Sequence, residues 1–321
     1  MPKDIKLLVT RRFPADVLAR ARRDYTCTFN DADDLWNSDE LIRRAKGHDA
    51  ILCSSSNKFP NDVIAELPDT IRMLSTFSVG YEHLDLDACK AHGIAVSNTP
   101  DVLSDATADM AMLLVLTASR RAGEAERMMR AGAWTGWAPT QLLGPSLQGK
   151  RLGILGMGGI GRALAARARA FGMEIHYYNR SRLASELELG AVYHESAEAL
   201  LAVSNFFSLN CPMSPEMHHF LNAERIEMLP QGAVVVNTAR GGLINDAAMI
   251  AALQSGRLFA AGLDVFDGEP NFNPAYRDLD NVFMTPHTGS ATVETRNAMG
   301  FKALDNLDAF FNGEDPPDRL V

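Results

Sequence analysis

Short apolar runs alternate along the chain with helical patterns. Ile5 to Thr10 reads as a strand and precedes a helix opened by Pro14; Tyr25 to Phe29 reads as a second strand, followed by the helix-start signal Ser38-Asp39-Glu40. Ala50 to Cys53 leads into a helix over Asn61 to Glu66, and the strands Arg72 to Ser75 and Ile94 to Ser97 flank a helix from Leu86 to His92 that Gly93 closes. This alternation predicts a mainly parallel α/β sheet. Asp101 to about Arg130 is helical without an interior proline, and Met110 to Leu116 is apolar on nearly every face. A helix apolar all round has to be buried on all sides. A central core helix and a subunit interface both satisfy that, the core helix slightly better.

A loop rich in Gly, Trp and Pro, Gly132 to Gly149, separates this series from a second one. Its strand candidates are Leu152 to Leu155, Glu174 to Tyr178, Phe206 to Leu209, Ala233 to Asn237, Ala260 to Val265 and Val282 to Thr285. Six strands with intervening helices fit a doubly wound nucleotide-binding domain. The last helix, Ala291 to Phe311, then has no strand left to serve, so we expect it to return to the first domain and make that domain discontinuous.

The length of 321 residues agrees with two domains, and 46% apolar with 22% charged residues is a globular composition. A formal net charge of −9 disfavours a general nucleic-acid surface, because a polyanion meets a repelling average field. The apolar stretch Met110 to Ser119 is far below the ~18 residues a spanning helix needs, so no membrane segment is expected. The N-terminal apolar run is short and broken by Lys6, which is no signal-peptide core, and a cytoplasmic location is expected. Cys27, Cys53, Cys89 and Cys211 are far apart with no Cys-x-x-Cys pair, so they read as buried free thiols and no metal site is expected.

Gly156-Met157-Gly158-Gly159-Ile160-Gly161 is a G-x-G-x-x-G pattern that follows the strand at Leu155 and opens the helical run Ile160 to Phe171. In that setting the first glycine permits the turn, the second lets backbone approach a diphosphate, and the third lets helix pack on strand. Backbone N–H groups and the helix dipole then hold the diphosphate. Such a loop expects an acid about twenty residues on to bond the adenosine ribose 2′-hydroxyl. Here the second strand ends Tyr178-Asn179-Arg180-Ser181-Arg182, with no carboxylate, and Arg162 to Arg182 holds five arginines against one acid, Glu174. Arg180, Ser181 and Arg182 suit a ribose 2′-phosphate, so NADP(H) is expected over NAD(H).

Three later segments place a polar group just beyond an apolar strand, where open α/β sheets bind ligands. Val234 to Asn237 leads through Thr238 and Ala239 to Arg240; Ala261 to Leu263 leads to Asp264 and Glu269; Met284-Thr285-Pro286 delivers His287. Reducing a carbonyl by hydride needs a proton donor near neutral pH, which His287 can be, with Glu269 orienting its imidazole. Arg240 can bind the carboxylate of a 2-keto acid and polarise its carbonyl.

The glycine loop, Asn-Thr-Ala-Arg-Gly-Gly-Leu-Ile, Gly-Leu-Asp-Val-Phe-x-x-Glu-Pro and Pro-His-Thr-Gly-Ser-Ala-Thr together resemble the D-isomer-specific 2-hydroxyacid dehydrogenases, over essentially the whole chain. The resemblance implies two doubly wound parallel-sheet domains: a Rossmann cofactor domain at 100–289, and a flavodoxin-like split substrate domain at 1–99 plus 290–321. A cleft would lie between them, and a homodimer would be built largely on the long helix after Pro100. It implies that Asp264 faces the nicotinamide end of the cofactor, that Thr107 lies near the phosphates and Pro212 near the adenine, and that Thr238 touches the cofactor. Ser78, Val79 and Gly80 look like the loop whose backbone N–H groups bind the substrate carboxylate. A Trp in the position of Trp134 or Trp137 reaches the neighbouring subunit's site in similar reductases, which makes Trp137 a substrate-side candidate. Small substrates such as glyoxylate and hydroxypyruvate lead this reading. The alternatives are 2-ketogluconate, phenylpyruvate-like acids or phosphoglycerate, and, from another class, a dinucleotide-sensing corepressor-like binding protein.

Overall fold

The computed structural model describes residues 4–321; Met1, Pro2 and Lys3, which begin the expected split domain and the N-terminal segment, lie outside the described residues. The chain divides into two units, Met1–Leu103 with Ala291–Val321, and Ser104–Ser290.

The split unit carries strands β1 (Lys6–Val9), β2 (Thr26–Phe29), β3 (Ala50–Ser54), β4 (Met73–Phe77) and β5 (Ala95–Ser97), all parallel in the order β2-β1-β3-β4-β5. Successive strand residues face opposite sides. Thus Leu8, Ile51, Cys53 and Leu74 pack against helices α2 (Ser38–Ala45), α3 (Asn61–Glu66) and α4 (Leu86–Ala91) on one face. Leu7, Val9, Leu52 and Met73 pack on the other face against α1 (Ala15–Asp24) and the chain's last helix, Val293–Phe311. That helix touches α1 so closely that a Cβ on Gly300 would sit 2.3 Å from Val17 Cγ2, and the Ser75 hydroxyl donates to the Ala303 carbonyl at 2.9 Å.

The second unit opens with α5 (Ser104–Ser119) and α6 (Ala122–Arg130). The single helix expected to about Arg130 is therefore two, because Arg121 adopts a left-handed backbone (φ 52°) that no glycine or proline announces. Next come β6 (Arg151–Leu155), α7 (Gly159–Ala170), β7 (Glu174–Tyr178), α8 (Ser185–Glu188), β8 (Val192–Tyr193), α9 (Ala197–Val203) and β9 (Phe206–Leu209). The unit ends with α10 (Ala223–Met228), β10 (Ala233–Asn237), α11 (Asp246–Gln254), β11 (Leu258–Leu263) and β12 (Val282–Met284), which leaves the last helix as α12. The seven strands are parallel in the order β12-β11-β10-β9-β6-β7-β8, one more than the sequence pattern predicts, because two-residue β8 is too short to carry a pattern. β11 also ends two residues earlier than expected, which leaves Asp264 as the first residue beyond the strand.

α5 packs against β10, β11 and α7. Ala111, Leu114 and Val115 are fully buried, and Gly262 is required on β11, since a Cβ there would meet Leu114 Cβ at 2.7 Å. The core-helix reading thus describes most of α5, while Leu113 remains 43% exposed. No helix among the described residues is long and apolar enough to cross a membrane.

Candidate active site

The order of the seven-stranded sheet reverses between β6 and β9, the switch point where doubly wound sheets bind ligands. The glycine loop turns there from β6 into α7, with Gly158 as an N-cap that offers no side-chain acceptor to the helix's first N–H groups. Gly156 has φ 96°, and a Cβ on it would lie 2.7 Å from the Cys211 nitrogen; a Cβ on Gly161 would lie 2.4 Å from the Gly156 carbonyl oxygen. A Cβ on Gly158, by contrast, meets open space, and Gly159 and Ile160 begin α7. Two buried polar atoms at neighbouring strand ends, Asn210 Oδ1 beyond β9 and Thr238 Oγ1 beyond β10, have no partner in the protein. Buried orphans of this kind are what a polar ligand satisfies. No sequence motif singles out Asn210; its place beside the β6 turn arises only from the strand order. Pro212 follows on the exposed loop beyond β9.

At the end of β7, Asn179 Oδ1 accepts the Met157 N–H at 2.6 Å and so braces the glycine loop. Arg180 and Ser181 are exposed. Arg182 is committed elsewhere. Its guanidinium donates to both oxygens of Glu188 at 2.8 and 3.1 Å, and with the Tyr177 hydroxyl it holds that carboxyl down to about 2. Of the two guanidiniums expected at this strand end, Arg182 thus shares its charge with a carboxylate that α8 supplies, and Arg180 lies within the field of Glu216.

The turn after β10 carries Arg240, whose backbone is pinned by Asn237: Nδ2 donates to the Arg240 carbonyl at 2.8 Å, and Oδ1 accepts the Ala239 N–H at 2.9 Å. The next residue, Gly241, lies directly on the segment beyond β11; a Cβ there would come within 1.8 Å of the Phe266 carbonyl carbon. That close approach sets the Arg240 turn against the loop bearing Glu269. Glu269 Oε1 accepts the Phe266 N–H at 2.7 Å and Oε2 meets His287 Nδ1 at 2.8 Å. Burial pushes the Glu269 carboxyl up, but the hydrogen bond and charge of His287, the Phe266 N–H and the Arg240 charge outweigh it and hold the group below its ordinary value. Arg240, Glu269 and His287 thus come together, as the motif order predicts.

A carboxylate only accepts, so Nδ1 of His287 carries the proton and Nε2 is left for exchange. Glutamine at 269 would have one acceptor for two donors, so Glu269→Gln is expected to lower kcat about tenfold by releasing either Phe266 N–H or the imidazole's orientation. The sign of its pH linkage is fixed as well. A depressed carboxyl stabilises the fold fully above the ordinary carboxylate range, and the gain is lost as pH falls through its folded value. Thermal melts from neutral to acid pH should therefore show a smaller acid loss in Glu269→Gln than in the natural protein.

His287 itself has a left-handed backbone (φ 53°), uncommon for a residue with a side chain. Asp264 holds it there. The Asp264 carbonyl accepts the His287 N–H at 2.8 Å, and its carboxylate accepts from the Thr285 hydroxyl (2.6 Å), the Thr288 N–H (2.7 Å) and hydroxyl (3.2 Å), and the Gly289 N–H (2.8 Å). Asp264 is fully buried, and each of its oxygens accepts from this turn. Thr107 of α5 lies against the same place, with its Cγ2 3.4 Å from where a Cβ on Gly289 would stand.

In the split unit, Ser78, Val79 and Gly80 follow β4. The Ser78 carbonyl accepts the Thr99 N–H at 2.9 Å, the Val79 carbonyl accepts Asn98 Nδ2 at 2.8 Å, and the Gly80 carbonyl accepts the Ser78 hydroxyl at 2.7 Å. In a trans peptide the N–H points opposite to the C=O of the same plane. The peptide planes that carry the N–H groups of Val79, Gly80 and Tyr81 are thereby held, a run of successive backbone N–H groups that forms the candidate anion nest. Ser78 serves it by its hydroxyl's grip on Gly80.

Trp134 and Trp137 are 50% and 80% exposed. Burial pushes the thiols of Cys27, Cys53 and Cys89 up to about 12 and that of Cys211 up to about 11, so none is a ready nucleophile. His218, His219 and Asp267 place ligand atoms within 4.8 Å of one another. Asn245 Oδ1 caps α11, so its Nδ2 donates to His219 Nδ1 and leaves the proton on Nε2, the nitrogen facing Asp267, which disfavours metal ligation.

Residues 112–289 match the D-isomer specific 2-hydroxyacid dehydrogenase, NAD binding domain. A glycerate dehydrogenase from Hyphomicrobium methylovorum is 48% identical over 312 residues, covering 97% of this chain and 97% of its own. A glyoxylate reductase from Thermococcus litoralis is 37% identical over 326 residues, covering 98% of this chain and 96% of its own. Among solved structures, an NADPH-dependent glyoxylate/hydroxypyruvate reductase from Sinorhizobium meliloti, in complex with NADP and malonate, superimposes with a TM-score of 0.88 at 32% identity, covering 99% of this chain and 97% of that one. The glycine loop and the orphaned atoms of Asn210 and Thr238 fit the nicotinamide dinucleotide that the matched domain binds. The chain belongs to the D-isomer-specific 2-hydroxyacid dehydrogenase family.

Proposed function

We propose that the chain is an NADPH-dependent reductase of small 2-keto acids, glyoxylate and hydroxypyruvate foremost, which it converts to D-2-hydroxy acids. The 2.8 Å contact of His287 with Glu269, under the charge of Arg240, carries this reading. NADPH, when bound, supplies the hydride that goes to the keto carbon. His287 delivers the proton from Nε2 to the keto oxygen, and Glu269 orients the imidazole through Nδ1. Arg240 polarises the carbonyl and holds the acid, and the Val79 and Gly80 N–H groups bind the substrate carboxylate. Carbonyl, hydride and proton balance to the hydroxy acid and NADP+.

On the cofactor side, Gly156, Gly158, Gly159, Ile160 and Gly161 take the diphosphate, Thr107 and Thr238 lie along it, and Pro212 borders the adenine. Arg180 and Ser181 take the 2′-phosphate, while Asp264 acts through the His287 turn that it ties together. A second copy of the chain covers the outer face of α5, where Leu113, Met112, Leu116 and Phe171 border a groove of about 360 Å³. Trp137, exposed within one chain, would then reach the partner's site.

The names of the relatives support the substrate class. A panel of 2-keto acids assayed with NADPH tests it: glyoxylate and hydroxypyruvate should give higher kcat/KM than phenylpyruvate and 2-ketogluconate. The reverse order would assign the site to bulkier acids.

A further inference from the structure

Behind the Val79–Gly80 nest lies a buried polar chain through Ser78 whose other members, Thr76 and His83, neither the sequence motifs nor the proposed chemistry uses. Thr76 Oγ1, fully buried, is 2.9 Å from Ser78 Oγ and 2.9 Å from His83 Nε2; Ser78 and His83 are 8% and 5% exposed. Counting protons fixes its direction. The Gly80 carbonyl can only accept, so the single Ser78 hydroxyl proton goes to it. Ser78 Oγ then accepts from Thr76, whose single proton is spent there, so Thr76 Oγ1 can only accept from its other neighbours, His83 and the Cys53 thiol. Thr76 Oγ1 must in turn accept from His83, which places a proton on His83 Nε2. The order is His83 Nε2–H to Thr76 Oγ1–H to Ser78 Oγ–H to the Gly80 carbonyl, with every donor pointing toward the nest. Aligned bonds of this kind polarise one another in a low-dielectric interior.

We infer that Thr76 and His83 are positioning residues for substrate binding: through the Ser78 hydroxyl they close the Ser78–Gly80 turn onto the Gly80 carbonyl and so hold the loop whose Val79 and Gly80 N–H groups meet the substrate carboxylate. Neither touches substrate. The inference rests on the nest being the carboxylate site, as proposed above. Removing the Thr76 hydroxyl takes away the donor to Ser78 Oγ and the acceptor of His83 Nε2, so that the Gly80 bond alone is left to orient the Ser78 hydroxyl.

Two measurements separate the chain from the reading it rests on. In the natural protein with NADP+ bound, oxamate, an unreactive carboxylate analogue of glyoxylate, should shift the Val79 and Gly80 backbone amide resonances; no shift would remove the nest as the carboxylate site and the inference with it. With that shift in hand, Thr76→Val should raise KM for glyoxylate about tenfold with kcat changed less than about threefold and NADPH affinity unchanged, and Thr76→Ser should restore KM. A Thr76→Val KM within about twofold of the natural value would overturn the chain's role while leaving the nest standing. Ser78→Ala carries the same test should Thr76→Val melt at a much lower temperature.

Discussion

His287→Ala should lower kcat for 2-keto acid reduction by about 10²–10⁴-fold, the range that a positioned general acid supplies. The structure leaves one imidazole nitrogen to exchange the proton. Nδ1 is committed to Glu269 at 2.8 Å, so Nε2 is the exchanging atom, and alanine removes it without touching the glycine loop. Water then has to protonate the developing alkoxide, without orientation and at an unsuited pKa. NADPH affinity, followed by fluorescence titration, should stay within about twofold, because the residues proposed to hold the diphosphate and adenosine follow β6, β7 and β9 and leave His287, which follows β12, out of that set. A variant that retains activity within about tenfold of the natural protein would remove His287 from its assigned role.

Arg180→Asp should reverse the cofactor preference, moving the NADPH-to-NADH ratio of kcat/KM by on the order of 10²-fold. A hydrogen bond to a charged group contributes about 1.5–3 kcal/mol, and an aspartate there would replace it with like-charge repulsion toward a 2′-phosphate while offering an acceptor to a 2′-hydroxyl. Arg180 is expected to carry more of this weight than Arg182, since Glu188 accepts from Nε and Nη2 of Arg182. Arg182→Ala should accordingly change the ratio less and act mainly on local stability, through loss of Glu188's partner. An unchanged ratio in Arg180→Asp would move the 2′-phosphate away from this strand end.

The parts of the fold legible in the sequence are those that local rules dictate. Apolar runs mark strands that parallel sheets bury on both faces, and the helix left without a strand, α12, packs on β4 as its lack of a partner predicts. The glycine loop and the triad Arg240, Glu269 and His287 were legible because each follows a strand whose C-terminal end is where such sheets bind ligands. What the sequence concealed are pairings across space. Glu188 stands six residues beyond Arg182, yet only the return of α8 makes them an ion pair. Asp264 reads as a site residue, and its bonds to Thr285, Thr288 and Gly289, which tie the His287 turn together, appear only in the folded chain. Ser78 reads as part of the carboxylate loop, and the bond of its hydroxyl to the Gly80 carbonyl within that loop appears only in the folded chain. The break at Arg121 has no local signal at all, since a non-glycine residue adopts the left-handed backbone.

The most direct test of the proposed reaction is the fate of NADPH when a small 2-keto acid meets the natural protein. NADPH absorbance should fall on addition of glyoxylate or hydroxypyruvate, one equivalent per equivalent of hydroxy acid formed. Hydroxypyruvate should yield D-glycerate, and NADH should react more slowly at equal concentration. No loss of either nucleotide with any 2-keto acid, or NADH consumed as fast as NADPH, would contradict it.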